Sequence, residues 1–209
     1  MKQLFTNVFT VLTLVIASNV LAEGDVAKVI AVKKQVFVER ASIGFKAKRK
    51  TSLNESDRVL SGDNARAQIR FNDGTLTTLG ANSEMTIDSF KWSKQEKNPH
   101  AEFTLVKGVF RTLTGEITRV SNPDYKVHTP VGSIGIRGTD FWGGYLEPDA
   151  IDVLFVDGEH EIVVSNEYGT TVLTQPGQGT TIRVGKAPEA AKVWSKEKVT
   201  KAVKTIQMD

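Results

Sequence analysis

The chain of 209 residues has no cysteine. That excludes disulfides, thiolate metal sites, cysteine nucleophiles and a lipidated cysteine anchor. Histidine is scarce as well: His100, His128 and His160 are the three present. They lie too far apart for a metal-binding pair, and none belongs to a His-Glu-x-x-His helix. The chain has no Gly-x-Ser-x-Gly nucleophile elbow. Gly132, Gly135 and Gly138 are spaced unlike a dinucleotide loop, and no amphipathic helix follows them to hold a phosphate. The formal net charge is +3, an excess too slight to argue for nucleic acid. After residue 22 no segment reaches the roughly 20 apolar residues of a membrane helix. The chain is therefore expected to need no cofactor and no metal, to bind no nucleic acid and not to be an enzyme.

A long apolar run does occur at the start. Lys2 precedes Val8 to Ala17, and Val20-Leu21-Ala22 offers small residues before Glu23. This is the pattern of a cleaved secretory leader, and its apolar part is short for a membrane span. The expected organisation is a leader over residues 1–22, one β domain over 23–186 and a helical tail over 187–209. The mature protein is expected to be exported and soluble, resting on its own packing without disulfides.

From Asp25 to Val184 short β segments alternate with glycine turns. The clearest hairpin is Ala65–Phe71, Asn72-Asp73-Gly74, Thr75–Leu79, with Ala67, Ile69 and Phe71 on one face and Arg66, Gln68 and Arg70 on the other. Asp-Gly suits a turn that needs a positive φ. Further hairpins are expected around Lys107-Gly108 and around Asp157-Gly158. The tail is read as an amphipathic helix, with Pro188 in its first turn and Val199, Ala202, Val203 and Ile206 at helical spacing. No repeat unit of fixed length appears, so a two-sheet sandwich and a solenoid-like winding both remain open.

Residues 127–142 are the most informative stretch. Pro130 has no N–H to give a ladder and stops the strand before it. Gly132, Gly135 and Gly138 each permit a positive φ. Ile134 and Ile136 alternate as on a half-buried strand, and Phe141 and Trp142 are expected to fill the core. Arg137 has two readings. Its planar fork can meet a carboxylate of a partner. Alternatively it holds nearby carbonyls or pairs with Asp140, which the apolar surroundings favour. Asp73, Asp140 and Asp157 are conceivable paired acids, but Asp73 and Asp157 precede turn glycines, their ordinary place.

The same segment resembles the signature of the FecR family: Thr129-Pro130, then Gly135-Ile136-Arg137-Gly138-Thr139, with Asp140 and Phe141 behind. Other matching pieces are Val59-Leu60-Ser61-Gly62, Phe71-Asn72-Asp73-Gly74-Thr75, Val106-Lys107-Gly108-Val109-Phe110-Arg111, Val156-Asp157-Gly158 and Pro176-Gly177-Gln178, collinear from about Gly24 to Val184. The resemblance implies an all-β fold, residence in the periplasm and a non-catalytic sensing domain that meets an envelope protein. Within it the signature residues read as structural, with Arg137 as the candidate partner contact. The alternative is binding of a cell-wall or envelope polysaccharide, using Trp92, Trp142 or Trp194 as sugar platforms and the basic group Lys46, Lys48, Arg49 and Lys50 for anionic polymers.

Overall fold

A computed structural model describes residues 24–208; the expected leader lies outside them. The chain opens with β1 (Ala27–Lys33), β2 (Val36–Arg40), β3 (Ile43–Lys46) and β4 (Ser52–Leu53). Next come β5 (Arg58–Ser61), β6 (Arg66–Phe71), β7 (Leu76–Leu79) and β8 (Glu84–Lys91). The middle holds β9 (His100–Lys107), β10 (Val109–Leu113), a 3-10 turn at Glu116–Thr118, β11 (Asp124–Thr129), β12 (Gly132–Ile136), β13 (Thr139–Glu147) and β14 (Ala150–Gly158). Last are β15 (Ile162–Asn166), β16 (Gly169–Leu173), β17 (Gln178–Arg183), β18 (Lys192–Val193) and helix α1 (Lys196–Lys204).

The strands form two nine-stranded sheets, ordered β18-β17-β14-β13-β10-β7-β6-β1-β4 and β16-β15-β12-β11-β9-β8-β5-β2-β3. We call them sheets A and B. Alternate residues of each sheet enter one shared core. Ile69, Phe110, Phe141 and Phe155 enter from A, and Val59, Phe103, Val127 and Ile134 from B. Phe71 of A meets Phe103 of B edge to face at 5.3 Å. The fold is an all-β two-sheet sandwich. Both strand orders rise along the chain once the first four strands are placed, so the sandwich is wound by a chain that steps between its two layers. A fixed repeat is not needed for such a winding, because each step can differ in length.

The steps explain two departures from the sequence reading. Lys107-Gly108 and Asp157-Gly158 do not close hairpins. β9 lies in sheet B and β10 in sheet A, where β10 pairs with β7 and β13. β14 likewise belongs to A and β15 to B. At each place the chain turns a corner between layers, through Gly108 (φ +86°) and Gly158 (φ +132°). A strand that must leave its sheet within one to three residues is helped by a backbone conformation that L side chains resist. The expected Ala65–Phe71 hairpin does form, as β6 and β7, with Gly74 at φ +88°.

The tail also differs from expectation. Pro188 is not helical; β18 first pairs with β17, and α1 starts only at Lys196, capped by Ser195, whose Oγ accepts from Lys198 N. The polar run Ser195–Lys198 that interrupts the helical spacing is thus the cap and first turn, where such residues are favoured. Val109, Trp142, Leu154, Trp194, Ala202 and Ile206 make a second small core between α1 and the outer face of sheet A. Trp142 Nε1 donates to Thr205 Oγ1 at 3.0 Å.

Candidate functional site

The signature segment forms a hairpin and then a corner. Thr129 Oγ1 donates to Gly132 O at 2.8 Å and so closes the turn that contains Pro130 and Val131. β11 and β12 then pair from Tyr125↔Ile136 to Thr129↔Gly132. Of the three spaced glycines, Gly138 alone has a positive φ, +108°. Gly132 is instead required by close approach: a Cβ there would lie 2.7 Å from Ser165 O. At Gly135 the nearest atom to such a Cβ is 3.7 Å away, ordinary contact. Gly138 carries the chain from sheet B to sheet A, where Phe141 packs edge to face on Phe110 at 5.3 Å.

This corner borders an open cleft of about 450 Å³, walled by Thr114, Gly115, Thr118 and Arg119 on one side and by Gly138–Asp140 and Asp157–His160 on the other. Asp73 organises the first wall. It is 4 % exposed, and its carboxylate accepts Thr75 N at 2.8 Å, Thr75 Oγ1 at 2.7 Å and Ile117 N at 3.2 Å. Thr75 Oγ1 in turn accepts Gly115 N. One buried carboxylate therefore fixes the 114–118 segment to the β6–β7 hairpin. The second wall is tied on by Thr114, whose Oγ1 donates to Thr139 O and accepts Thr139 N. Thr139 Oγ1 is buried, with no hydrogen-bond partner among the described residues.

Asp140 pairs with Arg111, not with Arg137. Arg111 Nε and Nη2 donate to its two oxygens at 2.8 and 2.6 Å. The reason is register. β10 and β13 set Leu113 opposite Asp140 and Arg111 opposite Trp142, so Arg111 and Asp140 are diagonal neighbours on one face. The bidentate bonds to Asp140 raise the Arg111 pKa above its usual value. Arg137 lies at the layer change and is exposed. Among the described residues its guanidinium has no hydrogen-bond or ion-pair partner, so the internal pairing expected for it is absent.

Asp140 and Asp157 are register partners across β13 and β14, so the structure brings together two of the three conceivable paired acids. Asp140 is committed to Arg111, however, and Asp73 is enclosed by its own hydrogen bonds. His160 stands over the corner, its Cδ2 3.2 Å from where a Gly138 Cβ would be. His100 and His128 lie elsewhere, bonded to Ser89 and Ser133. Among the described residues no group of three or more His, Asp or Glu side chains could hold a metal, and no helix is long and apolar enough to cross a membrane.

Two partners in this site are not evident from the sequence. Asp73 stands at an ordinary turn position, although Asp-Gly-Thr also spells a carboxylate that accepts from the residue two places on. Arg111 carried a usable signal, the outward place in the alternation Phe110-Arg111-Thr112, but its partner depended on strand order.

Residues 57–159 match the model of the FecR protein family, a narrower span than the motif collinearity from Gly24 to Val184. No curated protein matches significantly. Among solved structures the chain is similar to a protein assigned as an anti-sigma factor from Parabacteroides distasonis ATCC 8503, in crystal structures at 1.65 and 2.50 Å resolution. Each has a TM-score of 0.53 and 17 % identity, over 68 % of this chain. The match spans 62 % of the other chain's length and concerns the fold alone. The matched family span contains the signature hairpin, the Gly138 corner and nearly the whole cleft. Residues 57–159, just under half of this chain, are therefore similar to the FecR family.

Proposed function

We propose that this protein is a non-catalytic binding module of the FecR type, which receives a signal from a protein partner in the periplasm. The FecR match over residues 57–159 supports the sensing role, and the leader-like start of the sequence supports the compartment. The observation that carries the reading is Arg137. A guanidinium exposed beside a backbone corner, without a partner among the described residues, can make a bidentate contact with a carboxylate of another protein. The wall next to it is held by buried hydrogen bonds, so the arginine is presented from a rigid support.

The test is capture of a partner from envelope extract by the wild-type protein and by Arg137→Ala, with thermal melting of both. The variant should melt as the wild type does, since exposed substitutions usually fall within about 0.5 kcal/mol. Partner recovery should fall by roughly tenfold, the effect of about 1.4 kcal/mol. Undiminished recovery by the variant, or hydrolysis of an envelope substrate by the pure protein, would sink this reading. Against the polysaccharide alternative stand Trp142, fully buried, and Trp194, 6 % exposed, neither of which offers a face to a sugar. Retention on purified peptidoglycan that is lost with salt would revive it.

A further inference from the structure

The far end of sheet A has an unfinished edge. β1 pairs along its length with β6, but on its other side β4 covers only Ala27 and Lys28. Two further bonds, Val29 N to Thr51 O at 2.9 Å and Lys50 N to Val29 O at 2.8 Å, extend that cover by one residue. Ile30 to Lys33 then have β6 on one side and, among the described residues, no strand on the other. A register shift between Val29 and Ala31 marks the place where cover stops. The edge opens on a groove of about 520 Å³ between Ile30–Val32 and the Lys46–Arg49 segment. The buried pattern of β1 ends there too: Val29 is fully buried, while Ile30, Ala31 and Val32 are only half-buried.

The groove is positively charged. Lys34, Lys46, Lys48 and Arg49 line it, and Lys33 and Lys50 follow lining residues directly in the sequence. None of the six takes part in an ion pair among the described residues. The one acid between Lys33 and Lys50 is Glu39, which is held by Arg58 at 2.7 Å.

We infer that the open edge of β1 is a docking site for an extended acidic segment of a partner protein. The segment adds to sheet A as a short strand, its backbone meeting the free edge of Ile30–Lys33 and its carboxylates meeting Lys34, Lys46, Lys48 and Arg49. Strand addition gives affinity through main-chain hydrogen bonds and selectivity through alternate side chains. The free stretch spans about 14 Å at 3.4 Å per residue, so a segment of six to eight residues (roughly 20–27 Å extended) covers it. Two features select this occupant. An open backbone edge is matched by an amide backbone and not by a glycan, which would use charge alone. A second copy of this chain would bring the same lysines face to face, and edge lysines are a common device against self-pairing. The inference goes beyond the reading of Arg137, which precedes β13, four places from β1 in sheet A.

The test uses a fluorescein-labelled octapeptide of alternating Glu and Val, with anisotropy as readout and the intact purified protein as receptor. Three comparisons accompany it: the same peptide N-methylated at alternate amides, a Lys–Val peptide, and polygalacturonate as a charge-matched glycan. The Glu–Val peptide should bind and protect the amides of Ile30–Lys33 in hydrogen exchange. N-methylation, or the triple change Lys46→Glu, Lys48→Glu and Arg49→Glu, should weaken binding at least about tenfold. Arg137→Ala should bind the peptide as wild type does, which separates this site from the cleft. A triple variant that melts like wild type yet binds equally well overturns the inference. So does equal affinity for the N-methylated peptide or for polygalacturonate. So does salt-reversible dimerisation through this edge, or no binding at about 1 mM peptide.

Discussion

Asp73 shows how one residue can govern a surface it does not reach. Its carboxylate accepts two backbone N–H groups and one hydroxyl, so Asp73→Ala leaves three buried donors without their acceptor. The expected loss is about 3 kcal/mol in urea unfolding, because bonds to a charged group are the stronger ones and orphaned donors cost more still. A loss below about 0.5 kcal/mol would mean that the 114–118 wall is held by something else. Tyr125 makes a second test at this scale. It is 2 % exposed, and burial raises its pKa above the usual value, with hydrogen bonding to Thr112 partly opposing. The native state therefore holds the phenolic proton more tightly than the unfolded chain does. Its contribution is complete below the unfolded pKa of about 10 and is lost as the pH rises beyond it. In an ultraviolet titration, Tyr125→Phe should match wild type until alkaline unfolding begins. Loss of a phenolate step near pH 10 in the native variant would contradict this. Both residues are visible in sequence, as an Asp-Gly-Thr turn and as an alternating strand, but their buried partners come from β7, β10 and the 3-10 turn.

Among the elements, the tail is the one most changed by tertiary packing. β17 and β14 present Gly179 opposite Leu154, and the indole of Trp194 lies directly on that glycine. Asp152, 2 % exposed, accepts Lys198 Nζ at 2.6 Å and Thr181 Oγ1 at 2.6 Å. Lys198 also stands 4.0 Å from the centre of the Trp194 ring. The basic face of α1 is thus not all solvated, since Lys198 neutralises a buried acid of the sheet. Gly179→Ala would place a methyl against the indole and 2.6 Å from Val153 O. Such overpacking should cost about 2 kcal/mol, roughly 5 °C in Tm, with a shift in tryptophan emission as Trp194 leaves its seat. If emission and Tm both stay unchanged, the tail does not depend on this contact. Helical spacing in Val199, Ala202 and Ile206 made the helix legible. Its start was not, because Pro188 fits an extended segment as well as a first turn and β18 is only two residues long.

At the scale of the molecule, each strand touches its neighbours in a nearly sequential order, as in a quasi-one-dimensional array. Opening at an end then breaks one interface, while opening the middle breaks two. Native-state hydrogen exchange should be graded: amides of β3 and β16 exchange through local opening, while those of β9, β10 and β13 exchange only with global unfolding. Uniform protection along the chain would show an all-or-none body instead. A two-sheet sandwich and a solenoid-like winding are not exclusive, since they describe different properties. Two layers describe the packing, and stepwise advance describes the path.

Local pattern alone determined the all-β class, the β6–β7 hairpin and the buried face of β6, because alternation and turn chemistry act between near neighbours in the chain; the order of short motifs carried the family resemblance. Tertiary structure alone decided which glycines are corners between layers, that Asp140 belongs to Arg111, and that Arg137 and the edge of β1 have no partner among the described residues. Those outcomes follow from strand order and register. Both are set by how distant segments share one core, a balance that no short window of residues contains.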